Sequence, residues 1–225
     1  MIAIPRSERG IRYRIVAAAR RLVATGLSPA TSGNLSVRVK TGYIVTPSAV
    51  PYDTLHPDDL VFMGEDWTHG GGQRRPSSEW RLHRDIYRTR PEIEAVVHVH
   101  SPCATTLACL RKPIPAFHYE VAFAGGKDIR CGDYATFGTE ELSQSAMAAL
   151  EGRRACLLAN HGALVLGATL EDALLLAERV EFLARAYWQA LQVGEPVLLD
   201  DAEMARVLAK FATYGQQTPL FAQAE

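Results

Sequence analysis

Apolar residues recur along the chain with two different periods, and the switches between them mark out the elements. Ile11, Ile15, Val16, Ala19, Leu22 and Val23 return every three or four positions, which predicts an amphipathic helix over residues 8–25, closed by Gly26. NLSVRV (34–39) and YIVT (43–46) instead alternate around the turn KTG, which predicts a β-hairpin. DLVFM (59–63) predicts another short strand, followed by the polar loop GEDWTHGGGQRRP. Helical spacing resumes in SEWRLHRDIYRT (78–89), with Trp80, Leu82, Ile86 and Tyr87 on one stripe and Pro91 beyond its end. AVVHVH (95–100) predicts a strand, CATTLACL (103–110) a short helix, and HYEVAFAG (118–125) a further strand.

ELSQSAMAALEG (141–152) predicts a helix stopped by Gly152, and ACLLANHGALVLG (155–167) reads as strand, bend and strand, with Gly162 allowing a sharp backbone turn. Thr169 caps the long helix LEDALLLAERVEFLARAYWQALQ, with Asp172 near the capping-box position. DDAEMARVLAKFATYG (200–215) predicts a last helix with Met204, Val207, Leu208 and Phe211 inward. Short antiparallel strands mixed with helices favour one sheet layered with helices. No repeat, low-complexity stretch or linker divides residues 1–225, so a single domain is expected.

Composition narrows the function by exclusion. The 225 residues are 48 % hydrophobic and 22 % charged, with a net charge of −1, so no basic field calls for nucleic acid and no acidic tail for a basic partner. No apolar run reaches the roughly 18 residues of a membrane span. Arg6, Arg9, Arg12, Arg14, Arg20 and Arg21 fit the solvated face of the first helix rather than a transit peptide. Cys103, Cys109, Cys131 and Cys156 make no CxxC pair and no signal-peptide pattern is present, so reduced thiols in a cytoplasmic protein are expected.

The histidines carry the sharpest chemical signal. His98 and His100 stand at i and i+2 of a strand and therefore project from one face, where two imidazoles can converge on one metal ion. Equally, one can face solvent at the strand end, or both can be satisfied by hydrogen bonds. His161, on the ANHGA bend, offers a third nitrogen from elsewhere in the fold, and three histidines leave the fourth position of a catalytic zinc open. His56 and His69 lie in polar loops and read as solvent-exposed, whereas His83 shares a helix face with Glu79 and reads as its ion-pair partner. His118 is a candidate for supporting the site from behind. TSGN (31–34), TPSA (46–49) and PSSE (76–79) are clusters of small donors, and PSSE opens a helix whose free N–H groups suit an anion. Capping and turn chemistry require the same residue types.

Together TSGNLSVRV, IVTPSAVPYDTL, RRPSSEWRLH, AVVHVHSP, FHYEVAFAGG, YATFGTEEL, LANHG and KFATYG resemble the class II aldolase/adducin family, nearest to its L-fuculose-phosphate aldolase members. The resemblance runs nearly end to end. It implies a three-layer α/β/α fold with a mixed, largely antiparallel sheet, and a homotetramer with active sites shared between subunits. It implies one Zn2+ per subunit held by His98, His100 and His161, with Glu79 as acid/base and occasional fourth ligand. It assigns phosphate binding to Thr31, Asn34, Ser48, Ser77 and Ser78, and a second proton transfer to Tyr119 from a neighbouring subunit. The resemblance also extends to Tyr214 near the C-terminus. The implied reaction cleaves a ketose 1-phosphate, L-fuculose 1-phosphate or a similar sugar, to dihydroxyacetone phosphate and an aldehyde. Other members of the family are pentulose-phosphate 4-epimerases, thio-sugar-phosphate dehydratases and non-catalytic adducin-like modules. The epimerases tend to carry Asp at the position of Glu79, and a non-catalytic module would have lost these ligands. One residue departs from the pattern: Ala49 stands where such aldolases usually carry Gly.

Overall fold

In a computed structural model, residues 6–212 are described except 30, 65, 67 and 71, with the side chains of residues 6 and 7 left aside. The strands are β1 (Asn34–Val39), β2 (Gly42–Val45), β3 (Val61–Gly64), β4 (Ala95–Val99), β5 (Arg130–Gly132), β6 (Ala155–Leu158) and β7 (Gly162–Gly167). The helices are α1 (Arg6–Ala24), α2 (Trp80–Thr89), α3 (Pro102–Cys109), α4 (Glu140–Ala149), α5 (Leu170–Val193) and α6 (Asp201–Phe211). The strands form one seven-stranded sheet in the order β3-β2-β1-β4-β7-β6-β5. Every neighbouring pair is antiparallel except β5 with β6.

Parity along the central strands decides what each face packs against. Ala95, Val97 and Val99 of β4 and Ala163 and Val165 of β7 join a core with α1, α3, α5 and α6. Val96 of β4 and Leu164 and Leu166 of β7 point the other way, into a core with Leu82 and Ile86 of α2 and Leu142 and Ala146 of α4. The sheet is thus buried on both sides, in the three-layer α/β/α arrangement expected. His98 has the parity of Val96, so it faces α2.

Most predicted elements stand within two or three residues of their expected bounds. The exceptions have local causes. HYEVAFAG is not a strand but a 3-10 helix over Tyr119–Ala124. His118 caps it, its Nδ1 accepting from the Glu120 N–H, and Gly125 ends it at φ +89°. The apolar run there is continuous because Val121, Ala122 and Ala124 all face the core. Residue 59 does not begin β3, because Pro57–Asp59 form a 3-10 turn capped by His56. The three-residue β5 has no alternating pattern and was not expected. Tyr214 lies outside the described residues. No helix among the described residues is long and apolar enough to cross a membrane.

Candidate active site

His98 is fully buried near the end of β4, where apolar side chains would otherwise sit. Its Nδ1 lies 3.0 Å from the carbonyl oxygen of Ala163, which can only accept, so that nitrogen carries the proton and Nε2 is bare. His100 follows β4, half-buried, with its Nε2 at 2.9 Å from His98 Nε2. His161 sits in the bend between β6 and β7, its Nε2 at 3.2 Å from His98 Nε2. Asn160 makes that bend at φ +54°, a left-handed conformation that Asn tolerates better than most residues. Gly162 does not take a positive φ, so the expected sharp turn is not its role. A Cβ there would collide with the Val99 carbonyl and come within 2.9 Å of His100 Cδ2, so its bare Cα is what lets the two strand ends close.

Burial is the main cause that keeps these imidazoles neutral. It pushes His98 down to about 3, helped by His100, and His161 down to about 4, helped by His98 and opposed by Glu79. His100 is lowered for the same reason. Three neutral rings therefore aim their Nε2 atoms at one point, with all three ligand atoms within 4.8 Å of one another. Nitrogens bound at ~2.0–2.1 Å to one tetrahedral ion stand roughly 3.3 Å apart, close to the 3.2 Å between His98 and His161 and a little more than the 2.9 Å between His98 and His100. Three imidazole nitrogens packed this closely form a set of lone-pair donors suited to a cation. The donor set fits a divalent metal ion.

Glu79 is the N-cap of α2 but makes no capping bond with its side chain. The carboxylate turns instead into the site, buried, with Oε2 at 3.3 Å from His98 Nε2 and Oε1 at 3.4 Å from His161 Nε2. Oε2 accepts a hydrogen bond from Asn34 Nδ2 at 2.9 Å, while Oε1 has no hydrogen-bond partner. The expected Glu79–His83 ion pair is absent. His83 is fully buried and turned away, with Nε2 at 2.6 Å from Asn34 Oδ1, and burial pushes it down to about 3, so it is neutral. Asn34 stands between them.

Thr31, Asn34, Ser48, Ser77 and Ser78 line a single pocket together with Glu79, His100 and His161. Two segments are held side by side to bring this about. The Ser48 N–H donates to the Arg75 carbonyl and the Ser77 N–H to the Thr46 carbonyl, with a bridge between Pro47 and Pro76. The Tyr52 hydroxyl donates to the Gly33 carbonyl and secures the third segment. Ser48 and Ser78 are exposed and free to meet a ligand. Ser77 is buried, its Oγ accepting from the Glu79 N–H at 3.3 Å, and the Asn34 side chain is occupied by Glu79 and His83. Ala49 lines the same pocket and takes φ +57°, the left-handed region that costs an L-residue with a Cβ.

Tyr119 does not line this pocket; it lies on the 3-10 helix, 49 % exposed, with its ring stacked on His118. His118 caps that helix and does not support the metal cluster. The sequence patterns missed Tyr134, Phe137 and Asn160, which form the pocket's other wall. Gly138, at φ +76°, holds the Tyr134–Phe137 loop against the Ser78 carbonyl, where a Cβ would approach to 2.7 Å. Only the aromatic residues of YATFG in a loop could have signalled that wall.

Comparison with known proteins places this geometry in company. The family model described as class II aldolase and adducin N-terminal domain matches residues 13–188. The chain is 52 % identical over 219 residues, 96 % of its length and 98 % of the relative's, to a Rhodospirillum rubrum protein named 5-methylthioribulose-1-phosphate/5-deoxyribulose-1-phosphate aldolase. It is 45 % identical, over 90 % of this chain and 94 % of the relative, to an L-fuculose phosphate aldolase of Escherichia coli O6:H1. A solved structure of an L-fuculose 1-phosphate aldolase superposes with a TM-score of 0.87 at 43 % identity, covering 90 % of this chain and 96 % of that one.

Proposed function

The chain belongs to the class II aldolase/adducin family, and on that footing we propose that it is a metal-dependent aldolase that cleaves a ketose 1-phosphate to dihydroxyacetone phosphate and an aldehyde. The observation that carries this reading is the meeting of three neutral imidazoles and a half-satisfied carboxylate at the floor of a hydroxyl-lined pocket. We read residues 1–225 as one unit of this kind, working as a homotetramer.

Aldol cleavage needs a proton removed from the C4 hydroxyl and one returned to C3, and it leaves negative charge beside the C2 carbonyl. A divalent cation held by His98, His100 and His161 would supply Lewis-acid stabilisation of that charge. Glu79 suits the proton at C3, because Asn34 pins Oε2 while Oε1, beside His161, makes no hydrogen bond. Tyr119 is assigned to the C4 hydroxyl from a neighbouring subunit, in keeping with its exposed position. Thr31, Ser48 and Ser78, with the first N–H groups of α2, are suited to the phosphate. Ser77 and Asn34 contribute by holding Glu79. No lysine is needed for a Schiff base.

For the aldehyde end, Tyr134, Ala135 and Phe137 offer an apolar wall. That wall suits a short sugar with an apolar tail, such as a 5-deoxy or 5-methylthio pentulose 1-phosphate. These are the substrates in the name of the more similar of the two relatives, and we place them ahead of L-fuculose 1-phosphate. The test is a panel of ketose 1-phosphates assayed for release of dihydroxyacetone phosphate. The 5-deoxy and 5-methylthio pentulose phosphates should give the highest kcat/KM. No release from any of them would end the aldolase reading, and a preference for L-fuculose 1-phosphate would end the finer one.

A further inference from the structure

We propose that Tyr87, Ser36 and His83 form a one-way hydrogen-bond chain that orients the Asn34 amide and, through it, the Glu79 carboxylate, which makes them positioning residues for the reaction. The proposal rests on the reading of Glu79 as a proton-transfer group. Four contacts link the chain: Tyr87 OH to Ser36 Oγ at 2.8 Å, Ser36 Oγ to His83 Nδ1 at 2.6 Å, His83 Nε2 to Asn34 Oδ1 at 2.6 Å, and Asn34 Nδ2 to Glu79 Oε2 at 2.9 Å. All five residues are buried, so water does not compete for these groups.

The direction of each bond follows by elimination. A carboxylate oxygen only accepts, so Asn34 must present its NH2 to Glu79. The flipped amide would set carbonyl against carboxylate. Asn34 Oδ1 then faces His83 and can only accept, so His83 Nε2 carries the hydrogen. His83 is neutral, which leaves Nδ1 bare, and it accepts from Ser36. Ser36 has one hydrogen and has given it to His83, so its oxygen accepts from Tyr87. The far end is anchored: the Arg38 guanidinium lies over the Tyr87 ring at 4.7 Å from its centroid and donates to the Tyr87 carbonyl at 3.0 Å. The Tyr43 ring lies 13° from parallel with the His83 ring, centroids 6.4 Å apart, and limits its tilt.

The chain leaves Glu79 asymmetric. Oε2 is tied to a relay running through α2 and β1, while Oε1, buried 3.4 Å from His161 Nε2, makes no hydrogen bond. A layer of Leu82, Ile86 and Val96 could have been filled by apolar side chains. Polar residues at Ser36, His83 and Tyr87 make sense if the orientation of one amide is worth their burial.

Two measurements test this. Side-chain 15N NMR of the wild-type protein should find His83 protonated at Nε2 and bare at Nδ1; an Nδ1–H or doubly protonated ring overturns the chain whatever the activity. Kinetics with a cleaved ketose 1-phosphate should then find kcat lower by about 10- to 100-fold in His83→Phe, with KM and bound metal per subunit unchanged. His83→Gln can still donate to Asn34 Oδ1 and should recover most of the rate. Tyr87→Phe, the mildest change, should lower kcat by less, with melting temperature near wild type, and it serves if His83→Phe fails to fold. Equal losses in His83→Phe and His83→Gln, or unchanged kcat in every folded variant, would overturn the proposal. A wild type inactive on all sugars would overturn the functional reading alone, and the ring's proton and the Glu79 position in a variant crystal structure would still decide what the chain orients.

Discussion

The Nδ1 proton of His98 is held by the carbonyl of Ala163, one strand away, at 3.0 Å. That single bond fixes which nitrogen of His98 faces the cluster, and it comes from the backbone, so no side-chain substitution at residue 163 removes it. His98 therefore presents a bare Nε2 to the cluster without any ion to orient it. Chelation should abolish activity, and zinc should restore it and raise the melting temperature. An ion at 100 times its Kd adds about 2.7 kcal/mol. Elemental analysis after chelator washing checks this; a metal-free active sample would contradict it.

The same buried rings set an acid limit on the metal-free protein. His83 and His98 sit at about 3 and His161 at about 4, all below the ordinary value of ~6.5, with burial as the first cause. Between these values the unfolded chain binds more protons than the folded one, so stability rises with pH there. It should be complete above about pH 6.5 and fall steadily as pH drops toward 4. Urea midpoints of chelated protein across that range should show the slope, and His83→Gln should make it shallower.

Ala49 occupies a left-handed backbone position on the pocket wall. Ala→Gly in an ordinary helical or extended position lowers stability by roughly 0.5–1 kcal/mol. Here the sign should reverse, with Ala49→Gly neutral or up to about 1 kcal/mol more stable, because Gly adopts this φ freely. Denaturant unfolding at fixed metal saturation decides it; a loss of more than about 0.5 kcal/mol would show that the methyl group contributes packing worth more than the strain.

Ser78 is the cleanest probe of phosphate recognition, since it is exposed to the pocket and Ser77 is engaged with the Glu79 backbone. A hydrogen bond to a charged group contributes about 1.5–3 kcal/mol, so Ser78→Ala should lower kcat/KM for a ketose 1-phosphate by roughly 10- to 100-fold. The free ketose should be a poor substrate and barely respond. Equal kcat/KM for phosphorylated and free sugars would remove the phosphate site.

Tyr119 does not line its own chain's pocket and is 49 % exposed. If it serves a neighbour, Glu79→Gln and Tyr119→Phe subunits, each nearly inactive alone, should regain part of the activity when refolded together. Absence of recovery in mixtures shown to be hetero-oligomers would place its role elsewhere.

What was legible in the sequence and what was not divide along physical lines. His98 and His100 could be placed on one face from strand parity alone, and parity is what the sheet obeys. Pairing across distance is not written in local pattern. His83 looked like a partner for Glu79 because they are one helical turn apart, but Asn34 from β1 lies between them and takes both. Gly162 looked like a turn residue, whereas what it relieves is a collision with Val99 at the end of β4 and with His100 just beyond it. The 118–125 segment had strand-like composition, but His118 and Gly125 cap a 3-10 helix at both ends. Tyr134 and Phe137 carried no spacing signal, because loop residues meet a pocket through the loop's shape and not through a period.

The strand that carries His98 lies at the middle of the sheet with partners only from far along the chain. Its neighbours are β1 and β7, and the bond that orients His98 spans 65 positions. Local hairpins such as β1–β2 can close early, but β4 must wait for two long loops to be gathered, each at an entropic cost that grows with length. Until both have closed, the three imidazoles, Asn34 and Glu79 have no common location. Metal capture would therefore come late in folding, and a bound ion would stabilise the one topology in which the middle of the sheet is complete.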